Sequence, residues 1–243
     1  MKVGYVGLGS MGGALARRLH RTHPLHVHDL DPAAVARMLE KGARACATLR
    51  ELAAACDVVL LCLPMSTHVR AAIFGPDGLA AGLRPGTLLV DQSTGDPSET
   101  RAMAVELAAR DVALIDAPVS GGVQGAEAGT IAIMVGAEAK ELTRVEPVLA
   151  AISSNVFHAG GVGAGQVMKL VNNLLSGAQR LLTMEAVALA AKNGIDPERA
   201  CEILLAGGAR NSFTEKFMAP HIIKGRLDVG FTLGLMHKDM RLA

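Results

Sequence analysis

Val3-Gly4-Tyr5-Val6-Gly7-Leu8-Gly9-Ser10-Met11-Gly12 is the stretch on which the fold turns. Residues 2–7 form a short apolar run of strand length, and glycines 7, 9 and 12 follow it at G-x-G-x-x-G spacing. Residues 11–21 then read as a helix. In that order the glycines allow a tight turn and let a pyrophosphate approach the backbone at a helix N-terminus. The pattern is common by itself, and its context gives it weight. A second apolar run at 25–29 ends in Asp29, 22 positions after Gly7. A carboxylate there can accept hydrogen bonds from the adenosine ribose and repels a 2′-phosphate, so NAD is expected over NADP. Gly7, Leu8, Gly9, Ser10, Met11, Gly12 and Asp29 are accordingly expected to hold a dinucleotide. Glycines serving only a turn are the plain alternative. The plain role for Asp29 is an N-cap, for which Asp31-Pro32 is better placed.

Outward from this unit, strand-length apolar runs at 57–63, 87–91 and 113–116 alternate with helix-like stretches at 32–41, 49–55, 68–72 and 97–110. The runs are rich in Val, Leu and Ile without strict alternation, as strands buried on both faces are. Two further strands, 130–135 and 156–159, flank a helix at 139–151. The rhythm is that of βα units on a doubly wound parallel sheet. It stops at the glycine cluster Gly160, Gly161, Gly163 and Gly165, after which no strand pattern returns. Residues 166–192 lack proline and predict one helix of roughly 40 Å. Asn193-Gly194 stops it, and Asp196-Pro197 starts another running to about residue 205. The expected organisation is α/β: a Rossmann-type dinucleotide-binding domain at 1–161, then an all-α substrate and dimerisation domain at 162–243, with the long helix between them.

Composition excludes several classes. Half of the 243 residues are hydrophobic and 19% are charged, which is too apolar for disorder. Twenty-four Lys and Arg against 23 Asp and Glu leave +1, and aromatic residues are only 2%. Neither a basic surface nor a row of stacking rings is available, so no nucleic-acid partner is expected. The apolar run 58–65 is too short to cross a bilayer, so no membrane partner is expected either. Cys46, Cys56, Cys62 and Cys201 show no C-x-x-C spacing, and no signal peptide is visible, which reads as a reduced, cytoplasmic chain. His26 and His28 share a strand face, but further ligands at metal-site spacing are lacking, so strand packing is preferred and no metal is expected.

Four motifs in order resemble one family. After the glycine loop come Asp116-Ala117-Pro118-Val119-Ser120-Gly121-Gly122, then Gly163-Ala164-Gly165-Gln166 with Lys169-Leu170-Val171-Asn172-Asn173, and last Met236-His237-Lys238-Asp239. Together they look like the β-hydroxyacid dehydrogenases, the family of 3-hydroxyisobutyrate dehydrogenase, tartronate semialdehyde reductase and their 6-phosphogluconate dehydrogenase relatives. The resemblance implies hydride transfer between NAD and a small 3-hydroxy acid or its semialdehyde. It implies Lys169 as general acid/base and Asn173 orienting the substrate, with Ser120 and the amides of Gly121 and Gly122 holding a carboxylate. Cofactor contacts at Leu63, Pro64, His68, Thr94 and Lys238 are implied in the same way, with Asp239 as the charge partner of Lys238.

The residues themselves are consistent with this. Lys169 and Asn173 are an i, i+4 pair on one helix face. A carbonyl reduced by hydride needs a proton, and an alcohol oxidised must lose one. Plain readings exist beside these: Lys169 as a solvated helix lysine, Ser120 with its glycines as a turn, and His68 and Thr94 as ordinary surface residues. Ser120 lacks the G-x-S-x-G elbow of a nucleophile.

Other classes are a dinucleotide-binding module with impaired catalysis, a reductase of tartronate semialdehyde, succinic semialdehyde or sulfolactaldehyde, and an NADP-dependent imine reductase. Retention of Lys169 and Asn173 speaks against the first, and Lys169 against the last. Relatives continue past the lysine-aspartate motif, whereas this chain ends four residues after Asp239. A helix from about Phe231 carrying Lys238 is then expected as a chain end that frays, with Lys238 less firmly held. The apolar surface of helix 166–192 is expected to pair with a second copy, as a homodimer or tetramer.

Overall fold

The apolar runs become a single sheet because their residues bury on both faces. The computed structural model describes residues 1–227 and 232–243. Two compact units are present, Met1–Lys169 and Leu170–Ala243.

In the first unit the strands are β1 (Val3–Val6), β2 (Leu25–His28), β3 (Arg44–Ala45), β4 (Val58–Leu61), β5 (Leu88–Asp91) and β6 (Ala113–Asp116). They lie in the order β3-β2-β1-β4-β5-β6, every neighbouring pair parallel. This is the doubly wound order whose reversal point lies beside β1. Helix α1 (Ser10–His20) buries Leu15 and Leu19 on one face of the sheet. On the other face α3 (Leu49–Ala55), α4 (Ser66–Phe74) and α5 (Pro97–Ala108) bury Leu52, Val69, Ile73, Met103 and Leu107. Between them in the chain, α2 (Pro32–Leu39) starts as expected: Asp31 accepts a hydrogen bond from the Ala33 N–H at 2.9 Å, and Pro32 is its first residue. Strand β3 is too short and too exposed to leave an apolar signature.

The parallel rhythm ends at β6, which corrects the expectation of βα units throughout. Strand β7 (Val119–Ser120) and helix α6 (Gly122–Ala128) occupy a segment expected as loop. Strand β8 (Ala132–Gly136) then runs antiparallel to both β6 and β7. The segment 121–131 is too short for the crossover that a parallel return requires. Its first residues, Gly121 and Gly122, take φ of +140° and +70°, which side chains disfavour. Helix α7 (Ala139–Ile152) leads into β9 (Val156–Gly160), which restores a parallel pair with β8. Val145, Val148, Leu149 and Ile152 of α7 join the core on the α1 side.

Helix α8 (Ala164–Lys192) contributes its first turns to the first unit and the rest to the second. It stops at Asn193-Gly194, where Gly194 has φ +84°. Helix α9 (Pro197–Ala206) is capped by Asp196, which accepts from the N–H groups of Glu198 and Arg199. The core of this second unit is small: Val187, Cys201, Phe213 and Met218, with Arg180 over the rings of Phe213 and Phe217. Helix α10 (Leu233–Leu242) starts at a Thr232 cap, and Phe231, where its start was expected, lies outside the described residues. No helix among the described residues is long and apolar enough to cross a membrane.

Candidate active site

Three glycines of the first loop meet three different demands. Gly7 has φ +90°, and a side chain there would overlap the Cys62 carbonyl of β4's end. At Gly12 a Cβ would overlap the Gly7 carbonyl, so this glycine sets how closely α1 packs on β1. Gly9 is exposed, and a Cβ on it would meet nothing within 4 Å. That open position at the start of a helix is where a pyrophosphate needs bare backbone, and its fit to a dinucleotide is good. Ser10 is exposed and Met11 half-buried, while the Leu8 side chain packs in the core.

Asp29 stands just past β2 and is tied to this loop. One of its oxygens accepts from the Leu8 N–H and the other from the Asp31 N–H at 2.8 Å. Leu8's amide is therefore spent within the protein. Each Asp29 oxygen keeps a lone pair for a further donor. Beside it lies a concavity of about 580 Å³ bordered by His28, Asp29, Leu30, Pro32, Val35 and Glu51. His28 Nδ1 pairs with the Cys46 carbonyl at 3.0 Å, and burial lowers the His26 pKa, with the charges of Arg44 and Lys2 acting in the same direction.

Along the carboxyl ends of β4, β5 and β6 the chain builds a buried polar frame. Leu63 N–H donates to Ser93 Oγ at 2.9 Å. Gly95 N–H donates to Gln166 Oε1 at 3.0 Å, and Gln166 Nε2 donates to the Ser93 carbonyl at 2.9 Å. Thr94, half-buried, is thus held between two anchored neighbours. Leu63 and Pro64 lie beyond β4 rather than closing it, and Pro64 and His68 are exposed. The Asp116 carboxylate, fully buried, accepts from the N–H groups of Gly163 at 2.6 Å and Gln166 at 2.7 Å. It caps the first turn of α8 from the end of β6. Burial pushes its pKa up, and the N–H donors of Gly163 and Gln166 oppose that.

Ser120 is half-buried at the end of β7, paired in register with Ala132. It runs straight into Gly121 and Gly122, and a Cβ at Gly122 would meet nothing within 4 Å. Lys169 lies in the second turn of α8 and is only 8% exposed, not a solvated surface lysine.

In the second unit, Asn173 is 7% exposed and held from two sides. Its Nδ2 donates to Asp239 Oδ2 at 2.5 Å, and its Oδ1 accepts from Asn172 Nδ2 at 2.9 Å. The amide is thus turned to a protein carboxylate, which the sequence pattern did not reveal. Lys238 Nζ sits 3.1 Å from the other Asp239 oxygen. Gly177 makes this packing possible, since a Cβ there would come within 2.9 Å of Met240 Sδ and 3.1 Å of Met236 Sδ of α10.

The pairing of Lys238 with Asp239 is the one the resemblance implied, whereas sequence reasoning gave no structural role to Gln166 or the Asp116 carboxylate, nor to Asp239 as the acceptor for Asn173. These contacts run to partners distant in the chain, and no local pattern marks a buried glutamine.

Known proteins resemble this chain in sequence and in fold. The family model described as the NAD binding domain of 6-phosphogluconate dehydrogenase matches residues 2–161. The model described as NAD-binding of NADP-dependent 3-hydroxyisobutyrate dehydrogenase matches residues 163–243. The chain is 39% identical to the 2-(hydroxymethyl)glutarate dehydrogenase of Eubacterium barkeri over 244 residues, 100% of this chain and 81% of that protein. It is 39% identical to the 3-hydroxyisobutyrate dehydrogenase of Pseudomonas aeruginosa, covering 99% of this chain and 83% of that one. Among solved structures, Mycobacterium tuberculosis 3-hydroxyisobutyrate dehydrogenase with L-serine superposes with a TM-score of 0.89 at 31% identity, covering 99% of this chain and 84% of that chain.

Proposed function

Because this chain belongs to the β-hydroxyacid dehydrogenases, and so is a hydroxyacid dehydrogenase that uses a nicotinamide dinucleotide, we propose that it interconverts a small 3-hydroxy acid and its semialdehyde, with NAD as the preferred cofactor. The observation that carries the reading is Lys169, a lysine buried one helical turn before the buried Asn173.

In this reading residues 1–161 bind the dinucleotide and residues 162–243 form the helical substrate and dimerisation domain. The loop Gly7, Leu8, Gly9, Ser10, Met11 and Gly12 takes the pyrophosphate largely through backbone other than the Leu8 N–H, which Asp29 holds, and Asp29 takes the adenosine ribose. Leu63, Pro64, His68, Thr94 and Lys238 complete the cofactor contacts. When bound, the nicotinamide supplies the hydride acceptor for the alcohol or the hydride donor for the carbonyl. Ser120 and the amides of Gly121 and Gly122 hold the substrate carboxylate, and Asn173 orients the reacting oxygen. In oxidation the neutral amine of Lys169 takes the hydroxyl proton as the carbon loses hydride. In reduction its ammonium returns that proton to the oxygen, so that one hydride and one proton are moved in either direction.

Small hydroxy acids are the substrates named for the relatives above, which supports a compact carboxylate-bearing substrate here. The exposed Leu174, Leu175, Leu181, Leu182 and Leu189 of α8 support a homodimer or tetramer. The free cysteines support a cytoplasmic location.

A panel assay following NADH absorbance tests the proposal. It should include 3-hydroxyisobutyrate, 2-(hydroxymethyl)glutarate, L-serine, tartronate semialdehyde, sulfolactaldehyde and 4-hydroxybutyrate. Turnover with at least one 3-hydroxy acid or its semialdehyde is expected. Tight NADH binding without turnover on any member would instead favour a module with impaired catalysis.

A further inference from the structure

The far end of α1 carries a second concentration of charge. Arg17 and Arg18 on its last turns, Arg21 just past its end, Lys41 just after α2, and Glu127 at the end of α6 border a concavity of about 540 Å³. A volume of this size suits a small ligand. Helix α1 starts at the glycine loop, so these groups lie roughly 11–16 Å further along its axis, at the end away from the dinucleotide site.

The charges do not cancel. Arg17 Nη2 is balanced by Glu127 Oε1 at 2.7 Å. Neither Arg18, Arg21 nor Lys41 forms an ion pair with any described side chain. Three cations therefore remain around one cavity.

Cations at a helix C-terminus offset the macrodipole, and that is the plain account of this cluster. The dipole asks only for positive charge near the last turn. It does not explain how Arg18 is seated. A Cβ built on Gly129 would come within 2.6–2.8 Å of Arg18 Nη2, Cζ and Nε, so the guanidinium rests on bare glycine backbone. Gly129 also has φ +76°, a conformation that other residues adopt only at a cost. Arg18 Nε is out of water and has no acceptor among the described residues. A guanidinium carries donors in a rigid fork, and leaving one partly desolvated without an acceptor is costly unless something supplies one.

The cavity walls are also tied together. His20 Nε2 donates to the Lys41 carbonyl at 2.9 Å, which fixes the turn after α2 against α1. Arg17 and Glu127 bridge α1 to α6 in the same way.

We propose that this concavity is an anion site separate from the dinucleotide site, and that it takes a compact polyanion of the diphosphate class. Arg18 and Arg21 address the phosphate oxygens through their forks and Lys41 adds a point charge from the opposite wall. The concave shape favours a small molecule over the broader face that an acidic protein would need.

The test is calorimetric titration of sodium pyrophosphate into the full chain saturated with NADH, so that the glycine loop is already filled. Binding is expected in the NADH-saturated protein, and inorganic phosphate should bind more weakly. Arg18→Gln and Arg21→Gln should each weaken pyrophosphate binding at least tenfold, as expected for loss of a charged hydrogen bond, and leave NADH affinity unchanged. Arg21 is exposed, so its variant keeps the test valid if Arg18→Gln fails to fold. Absence of binding once NADH is present overturns the proposal, as does equal affinity in the wild type and Arg21→Gln. Binding of poly-glutamate where pyrophosphate does not bind also overturns it, in favour of an acidic protein partner.

Discussion

Asn173 donates its side-chain amide to Asp239 across 2.5 Å, and the same carboxylate receives Lys238 at 3.1 Å. One buried acid thus sets both an amide on α8 and an ammonium on α10. Asp239→Ala removes the acceptor for both, and a cost of about 1–3 kcal/mol in urea unfolding is expected. Turnover should fall at least tenfold. Asp239→Asn keeps an oxygen for Asn173 but loses the ion pair, and should fall between the wild type and Asp239→Ala. Wild-type kcat in Asp239→Ala would show that this pairing has no part in positioning the site.

Lys169→Ala should lower kcat by about 10²–10⁴, the usual worth of general acid/base catalysis, while NADH affinity changes little. The two are measured separately, by initial rates and by fluorescence titration of NADH. A variant retaining more than about a tenth of wild-type kcat argues against Lys169 as the proton carrier.

Gly9 and Gly12 should separate when each is changed to alanine. Gly12→Ala drives a methyl into the Gly7 carbonyl, so Tm should drop and dinucleotide affinity with it. Gly9→Ala finds open space in the protein, so Tm should hold while NADH affinity falls, because the methyl would stand in the proposed pyrophosphate site. Thermal melts with and without NADH distinguish the two outcomes.

Asp29 should set cofactor choice. The wild type is expected to prefer NAD, and Asp29→Asn to raise kcat/KM with NADP by roughly tenfold or more by removing a like-charge contact. Asparagine still offers an oxygen to the Leu8 N–H, so the loop should stay in place. Equal kcat/KM for both cofactors in the wild type would remove the ribose role from Asp29.

Alkaline pH should destabilise the fold through its thiols. Burial pushes both Cys56 and Cys62 from 9.0 up to about 12, so each stays neutral in the folded chain while the unfolded chain ionises. Stability that is fully present below the unfolded thiol pKa is therefore lost as pH rises from about 9 toward 12. Calorimetry should show Tm falling across this window, and Cys56→Ala should show a shallower fall. In the native state neither thiol should react appreciably with iodoacetamide at pH 8, because the thiolate is the reactive form.

The sequence by itself determined whatever acts over a few residues. The glycine loop, the caps at Asp31 and Asp196, the strand runs of β1, β4 and β5, and the stop at Gly194 are all legible because their causes are local: φ, a neighbouring N–H, or an unbroken apolar run. Four motifs in order also sufficed to place the chain in its family. Tertiary structure decided the rest. Asp116 reaches Gln166 across 50 positions and Asn173 reaches Asp239 across 66, so neither pairing leaves a trace in spacing. The reversal at β8 was hidden for a similar reason, because an apolar strand reads the same in either direction and only the short path through Gly121 and Gly122 makes it antiparallel. That Lys169 is buried rather than solvated was settled by packing, since a lysine's burial depends on what the rest of the chain places around it.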